Sequence, residues 1–251
     1  MEWLNCGKIR VSGYTYRKTM RLHRFYLQNE NFETLKPGDS FTCTHPEVVK
    51  QVGLVLRAQV GNRVRFFNNS GECEFEVASV SKKEIVFTVK EKIAALIQKK
   101  KVFLIQSLIK KDKFEWVAQK VTELGVTDII PATTERSEKK GLDEKRLQKI
   151  ITEATEQSGW GRVPTLHEIT SLDATLQKLN DEKVSIYILD MDGKAAEKET
   201  GVVAVCIGPE GGWGEQDKEI FKKYSTKSVS IGESVLRAET AAIVGVYQFL
   251  N

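Results

Sequence analysis

Two stretches near the C-terminus carry the residue types best suited to chemistry. The first covers residues 201–213, where the apolar run Val-Val-Ala-Val-Cys-Ile ends in Gly-Pro-Glu-Gly-Gly (residues 208–212, the glycine loop). A short apolar run bounded by glycine is typical of a strand buried on both faces of a parallel sheet. Ligands of such sheets bind beyond the carboxyl ends of the strands, and glycine lets backbone approach them closely. The loop therefore predicts a ligand-binding turn, with a tight turn that binds nothing as the alternative.

The glycine loop differs from the common phosphate-binding loops. It lacks the Lys-Ser/Thr ending of the P-loop and the spacing of the dinucleotide fingerprint. Glu210 stands where a phosphate would require a donor or a cation. A carboxylate beside glycine amides suits a ligand with hydroxyls, an adenine edge or a positive charge, and S-adenosylmethionine (SAM) has all three.

The second stretch covers residues 230–243 (the C-terminal motif), Ser-Ile-Gly-Glu-Ser-Val-Leu-Arg-Ala-Glu-Thr-Ala-Ala-Ile, and predicts a loop that runs into a helix. Arg237 and Glu239 are two residues apart, so on a helix they do not face each other. Their neighbours are mostly apolar, and unpaired charges in such surroundings are costly. We expect partners from outside this helix, either a ligand or ordinary tertiary salt bridges.

Taken together, Ile-Gly-Pro-Glu-Gly-Gly-Trp and the later Gly-x-x-Val-Leu-Arg-Ala-Glu-Thr-Ala resemble the bacterial small-subunit ribosomal RNA uracil-N3 methyltransferases (the RsmE family), which are SPOUT methyltransferases. The resemblance runs from about Met20 to the C-terminus. It implies an α/β fold, with a SPOUT-type parallel sheet and a C-terminal trefoil knot, an exception to the usual absence of knots. It further implies SAM as cofactor, methylation of N3 of a uridine in 16S ribosomal RNA, a homodimer and a cytoplasmic location.

The resemblance also implies which residues form the site. The cofactor-binding residues would be Leu189, Gly208, Pro209, Glu210, Gly211, Gly212, Ile231, Gly232, Val235 and Leu236. Arg237 would stabilise the uracil oxyanion, and Glu239 is a hypothetical general base. The RNA-binding residues would be Arg24, Arg57, Arg136, Gln157 and Arg162. Trp160 and Ser234 depart from the family pattern, which often has arginine at these positions, and this weakens the case for RNA affinity.

Composition agrees with a globular protein: of 251 residues, 41% are hydrophobic and 29% charged. No apolar run approaches the ~20 residues that cross a membrane, and no signal-peptide core is present, so we expect no membrane association. Cys6, Cys43, Cys73 and Cys206 lack metal-type spacing, and we expect no metal. The net charge of +4 includes local clusters of lysine and arginine, which fit either a footprint on RNA or solvated surfaces.

The elements that must position these residues fall into three segments. Residues 1–19 look like an N-terminal extension of no assigned role. Residues 20–92 contain short β runs separated by turns, which predicts a small closed β barrel, and the resemblance implies a PUA-like RNA-binding domain. Residues 93–251 alternate strands with helices, which predicts a parallel α/β sheet. The predicted strands of the barrel are residues 25–27, 40–44, 53–57, 63–67, 73–80 and 85–90.

Within the third segment, strands are predicted from residues 102, 126 and 184. Helices are predicted from Asp112, with a capping box to Glu115 and an end at Gly125, and from Asp143. Two more helices are predicted at residues 215–223 and 240–250.

Three other functions are compatible with parts of this pattern. One is a SPOUT methyltransferase that acts on a ribose 2′-hydroxyl or on another base. The second is a non-catalytic ribosome-binding or assembly factor. A dinucleotide oxidoreductase is disfavoured because the fingerprint glycines are missing. Free 16S rRNA and the assembled small ribosomal subunit both stay open as the partner.

Overall fold

The computed structural model describes residues 22–138, 141–197 and 199–250, so the predicted extension at 1–19 lies outside the described residues. The first part of the chain forms a mixed five-stranded sheet. Its elements are β1 (Arg24–Tyr26), β2 (Ser40–Cys43), α1 (Pro46–Lys50), β3 (Arg63–Asn68), β4 (Gly71–Val80) and β5 (Ile85–Ile93). The strand order is β1-β3-β4-β5-β2, and only the β1–β3 pair is parallel.

This sheet curls around a core of phenylalanines. The rings of Phe41 on β2 and Phe66 on β3 are 5.7 Å apart between centroids, although β4 and β5 lie between these strands in the sheet. On a flat sheet, strands three positions apart would be separated by ~14 Å. The curvature resembles a barrel, but β1 and β2 are the two ends of the strand order in the described residues, so hydrogen bonds do not close it.

One predicted strand of this part, residues 53–57, is wrong. The chain continues from α1 into a π-helical turn at Gln51–Val55, and Arg57 has a left-handed backbone with φ 51°. Pro46 at the start of α1 has its φ preset for a helix, and buried Val48, Val49 and Val52 follow at helical spacing. The apolar run Leu-Val-Leu in this segment suggested a strand, and the helical spacing outweighs it.

The second part is the predicted parallel sheet, and it has helices on both faces. Its elements are β6 (Val102–Ser107), α2 (Lys111–Leu124), β7 (Asp128–Thr133), α3 (Glu144–Ser158), β8 (Thr165–Leu166), β9 (Thr170–Ser171), α4 (Leu172–Asp181), β10 (Ser185–Ala195), β11 (Val203–Ile207), α5 (Glu215–Lys223), β12 (Thr226–Ser230) and α6 (Ala238–Leu250). The order is β12-β10-β11-β6-β7-β8, and β9 also pairs with β7. Helices α2, α3 and α6 pack on one face and α4 and α5 on the other.

Helix ends in this part follow local chemistry. The Asp143 side chain accepts from the Arg146 amide at 3.1 Å, which confirms the start of α3, and Gly125 ends α2 with φ 99°. The capping box between Asp112 and Glu115 is wrong, because α2 begins one residue earlier and has no side-chain cap. Glu115 instead accepts from Arg146 Nε at 2.7 Å.

The sequence predicted neither α4 nor β12, and β10 extends beyond the predicted strand. Beyond Leu189 the register between β10 and β12 shifts, and Gly193 then lies against Val229. A Cβ at Gly193 would lie 2.4 Å from the carbonyl carbon of Val229, so only glycine fits this close approach. Strands β10 and β12 therefore lie close together at the end of the sheet where the glycine loop begins.

A buried arginine joins the two parts of the chain. The Arg24 guanidinium lies 2.8 Å from the Glu72 carboxylate and donates to the carbonyls of Thr155 and Trp160, at 3.1 Å each. Its side chain is only 8% exposed and lies over the ring of Phe67. The prediction that Arg24 contacts RNA is therefore corrected: its donors are used inside the protein.

A partly buried carboxyl lies at the same junction. Glu156 on α3 accepts a hydrogen bond from the Tyr26 amide on β1 at 2.8 Å. Burial raises the Glu156 pKa from 4.5 to about 7, with a smaller contribution from Glu153, while the Tyr26 amide and Arg24 act in the opposite direction. Within the part of the chain that the structure describes, no helix is long and apolar enough to cross a membrane.

Candidate active site

A cavity of about 620 Å³ (the main cavity) lies where β10, β11 and β12 end and α6 begins. It brings the glycine loop and the C-terminal motif together across the edge of the sheet. Nine of the ten residues expected to bind the cofactor line it: Leu189, Gly208, Pro209, Glu210, Gly212, Ile231, Gly232, Val235 and Leu236. The tenth, Gly211, lies outside this lining. The two stretches that the sequence singled out thus form one site.

The glycine loop is shaped by the tryptophan that follows it. The Trp213 indole is buried, and its Nε1 donates to the Leu189 carbonyl at 3.0 Å. A Cβ on Gly208 would lie 3.2 Å from the indole ring, closer than an ordinary van der Waals contact. Gly212 has φ 67°, a conformation that disfavours other residues. A side chain at either position would therefore strain the turn.

A polar loop after β7 braces the glycine loop from the other side. Arg136 Nη1 donates to the Gly211 carbonyl at 2.9 Å. The buried Asp217 carboxylate accepts from the Gly214 amide at 2.9 Å and from the Glu135 amide at 3.1 Å. Arg136 is therefore next to the predicted ligand loop, on the outer side of Gly211.

Lys113 connects the two motifs, and sequence reasoning did not assign it to the site. Its Nζ lies 3.1 Å from Glu210 Oε1 and 3.7 Å from Glu239 Oε2. The hydrogen bond to Glu210 is the main reason that the Lys113 pKa is raised, which keeps the amine protonated at neutral pH. The available signal was its place in the first turn of a helix after a parallel strand, because such turns lie at the ligand-binding edge.

The two predicted catalytic residues occupy different positions. Arg237 is exposed and lines the main cavity, and its side chain forms no hydrogen bond or ion pair with the residues that the structure describes. Glu239 does not line the cavity: its side chain is 12% exposed and contacts Lys113 on α2. The expected partner from outside the helix is confirmed for Glu239, but the carboxylate does not reach the cavity where a general base is needed.

The other predicted RNA contacts are not close to the main cavity. Gln157 in the last turn of α3 and Arg162 lie towards the end of the sheet where the strands begin, and both are exposed. Arg162 lines a second cavity of about 570 Å³ together with Lys99, Lys101 and Trp160. Six-residue strands such as β6 separate the two edges of the sheet by ~20 Å. The fifth residue, Arg57, is exposed beside the first sheet.

The composition of the main cavity limits its chemistry. Leu189, Ile207 and Leu236 give it apolar walls, while the carboxylates of Asp190 and Asp192 lie at its polar side. Such a site can hold a flat apolar group together with hydroxyls or a positive charge. Three cationic residues, Lys113, Lys218 and Arg237, line the cavity, and such groups can stabilise negative charge that develops nearby. Among the described residues, no cluster of histidine, cysteine and carboxylates could hold a metal ion.

Comparison with known proteins identifies the family of this chain. The family model of the RNA methyltransferase domain matches residues 97–248. The chain is 30% identical to ribosomal RNA small subunit methyltransferase E of Rickettsia conorii over 239 residues, covering 91% of this chain and 95% of that protein. For the Bacillus subtilis enzyme of the same name, identity is 28% over 242 residues, with 88% and 93% covered.

A solved structure extends the comparison to the fold. The crystal structure of a ribosomal RNA small subunit methyltransferase E from Neisseria gonorrhoeae, bound to S-adenosyl methionine, has a TM-score of 0.80 at 25% identity, covering 90% of this chain and 95% of that one. The similarity therefore includes both sheets and not the parallel sheet alone. On these grounds the chain belongs to the ribosomal RNA small subunit methyltransferase E (RsmE) family.

Proposed function

We propose that this protein uses SAM to methylate N3 of a uridine in 16S ribosomal RNA. The observation that carries the proposal is the main cavity, in which the glycine loop and the C-terminal motif meet and the Arg237 guanidinium has no hydrogen-bond or ion-pair partner among the described residues. Membership of the RsmE family supports rRNA as the substrate. A relative with SAM bound supports the cofactor.

The residues of the main cavity fit SAM. A volume of about 620 Å³ is in the range of ligand pockets, which is roughly 300–1,000 Å³. Apolar Leu189, Ile207 and Leu236 suit an adenine ring, and backbone at Gly208 and Gly232 can approach it closely. The carboxylates of Asp190, Asp192 and Glu210 suit ribose hydroxyls and positive charge. When bound, SAM would supply a methyl group activated by its sulfonium.

The residues of this chain would act mainly on charge and position. N3 of uracil becomes nucleophilic when its proton passes to water, and negative charge then spreads onto the two carbonyl oxygens of the ring. Arg237 and the protonated Lys113 line the cavity where that charge develops, so both lower the barrier electrostatically. Holding the base in line with the methyl donor supplies part of the ~7–11 kcal/mol that orientation can contribute.

Glu239 supports this arrangement through Lys113, outside the lining of the main cavity. Glu239 belongs to the C-terminal motif and Glu210 to the glycine loop, and Lys113 Nζ contacts both carboxylates. We therefore assign Glu239 a positioning role, in which it holds Lys113 at the junction of the two motifs. This replaces the general-base role predicted from the sequence.

Recognition of the RNA is proposed to involve both parts of the chain. Residues 20–92 would form a PUA-like RNA-binding domain and residues 93–251 a knotted SPOUT domain; the curled sheet and the parallel sheet support these assignments. N3 lies on the Watson–Crick edge, so the target uridine must be unpaired or splayed out. Arg57, Gln157 and Arg162 are exposed and stay candidates for contact with the RNA backbone.

A homodimer is part of the proposal. Trp116 on α2 is 44% exposed, and Val244 and Tyr247 on the adjacent α6 are 37% and 56% exposed. Large apolar side chains grouped on one surface are typical of protein interfaces. A dimer would also let RNA held by one protomer reach the cavity of its partner. Light scattering coupled to size exclusion measures the mass of the assembly directly and so tests the dimer.

Since the proposed substrate is ribosomal RNA, we place the enzyme in the cytoplasm.

The function is tested by two measurements on the same protein. Isothermal titration measures SAM binding, and transfer of a tritiated methyl group to small ribosomal subunits or free 16S rRNA measures turnover. We expect binding and transfer with the wild-type chain. SAM binding without transfer to either RNA would contradict the proposed reaction, and no SAM binding would contradict the cofactor.

A further inference from the structure

A separate recess lies beside the main cavity and is not explained by the cofactor. Its volume is about 600 Å³, and its charged lining residues are Lys110, Lys113, Arg136, Glu138 and Glu210. We call it the side recess. Lys113 and Glu210 also line the main cavity, so the ion pair between them, at 3.1 Å, is the wall that the two spaces share.

The side recess has cationic groups that are not neutralised by ion pairs. Glu210 is paired with Lys113. Arg136 uses Nη1 to hold the Gly211 carbonyl, and its guanidinium forms no further hydrogen bond or ion pair in the described part of the chain. Lys110 forms no side-chain hydrogen bond or ion pair with the described residues. Three cations against two carboxylates leave the recess with one positive charge.

The chemistry of the lining distinguishes between parts of a nucleotide. Besides the charged residues, only Ser137 and Gly211 line the side recess, so it has no aromatic or aliphatic side chain on which a base could stack. An arginine fork and a lysine ammonium are instead the groups that bind phosphate oxygens. The lining therefore suits the backbone of a nucleic acid and not its bases.

We propose that the side recess binds a phosphodiester group of the RNA strand next to the uridine that is methylated. This inference rests on the proposed function and adds a substrate site to it. A base and its own phosphate are joined through one ribose, so their sites must adjoin, as the side recess and the main cavity do at Lys113 and Glu210. Lys110 and Arg136 bind the phosphate, and the base is thereby directed towards Arg237.

The test measures RNA affinity at several salt concentrations. The probe is a short fluorescent single-stranded RNA that contains uridine, followed by anisotropy. Lys110→Gln removes one charge from the recess without breaking a side-chain contact in the described structure. Lys178→Gln is the matched control, because Lys178 is exposed on α4 near the start of β10, at the opposite edge of the sheet.

We expect Lys110→Gln to weaken RNA binding about three- to tenfold at low salt. The slope of log affinity against log salt should become shallower by about 0.7, the value for one lost phosphate contact on a single strand. Arg136→Lys keeps the charge but loses the fork, so its affinity should fall while the slope stays. Lys178→Gln should match the wild type in both quantities.

The inference is overturned if Lys110→Gln and Lys178→Gln bind RNA with equal affinity and equal slope. It is also overturned if Lys110→Gln weakens SAM binding as strongly as RNA binding, because the recess would then belong to the cofactor site. Loss of SAM binding or methyl transfer in the wild-type protein has a different meaning, since it contradicts the proposed function itself. The two failures are therefore separable.

Discussion

Glu156 should make the stability of the protein depend on pH. Its pKa is about 7 in the folded chain, where burial disfavours the carboxylate, against 4.5 for the ordinary side chain. Between these values the folded chain holds a proton that the unfolded chain releases, so the free energy of unfolding falls as pH rises. This contribution is fully present below about pH 4.5 and is lost above about pH 7. Converted at 1.36 kcal/mol per unit, the difference is about 3 kcal/mol, and solvent screening would reduce it to about 2 kcal/mol.

The test is Glu156→Gln, which removes the titration but keeps an oxygen that can accept from the Tyr26 amide. Urea unfolding at pH 5 and pH 8 gives the free energy of unfolding of each protein. We expect the wild type to lose about 2 kcal/mol more than Glu156→Gln between these pH values. Glu144→Gln, an exposed change at the start of the same helix, should behave like the wild type. Equal losses for wild type and Glu156→Gln would refute the reasoning.

Three further predictions concern the site. Gly208→Val should abolish SAM binding in isothermal titration, because the new side chain meets Trp213. The control Gly201→Val, at an exposed turn, should bind SAM normally. Normal binding by Gly208→Val would show that the turn tolerates a side chain. Arg237→Ala should reduce kcat by roughly 10²–10³-fold and leave SAM affinity within a few fold of the wild type. Unchanged turnover in the tritiated-methyl assay would contradict the proposed role of Arg237 in stabilising charge. Lys113→Met should reduce kcat/KM for RNA by at least about tenfold, and Lys113→Arg should restore part of it because the charge returns; equal activity of the two variants would contradict a role for that charge.

Much of the site could be predicted because its chemistry is local in sequence. The glycine loop and the C-terminal motif each combine residues that are costly or unusual unless a ligand is near, and the rule for parallel sheets places both at one edge. The reason for glycine at position 208 could not be predicted from the sequence. It depends on the Trp213 indole folding back beneath the turn, which is a matter of packing.

The errors have a common physical cause, which is contact between residues far apart in sequence. The resemblance implies that Arg24 contacts RNA, yet its side chain is buried against Glu72 and α3. Lys113 belongs to a lysine cluster that fits a solvated surface, but the fold brings it to Glu210, 97 residues later. Glu239 looks available for catalysis until Lys113 is placed beside it. Patterns predict elements well here, and partners must come from the tertiary structure.

The assignment of strands and helices also depended partly on tertiary contacts. The alternation of strands and helices predicted the parallel sheet, whereas residues 53–57 were assigned to a strand because valine and leucine dominate there. Valine also packs well on a helix when it recurs at helical spacing, as Val48, Val49 and Val52 do. Strand β12 was not predicted because Thr-Lys-Ser-Val-Ser has one buried apolar residue, and its place depends on pairing with β10.

The central claim is tested most directly by identifying the methylated nucleoside. Small ribosomal subunits from a strain that lacks this protein would be incubated with the purified enzyme and SAM, and the 16S rRNA digested and analysed by mass spectrometry. We expect new 3-methyluridine with the wild-type protein and much less with Arg237→Ala. A 2′-O-methylated nucleoside, a different methylated base or no new methylation would contradict it.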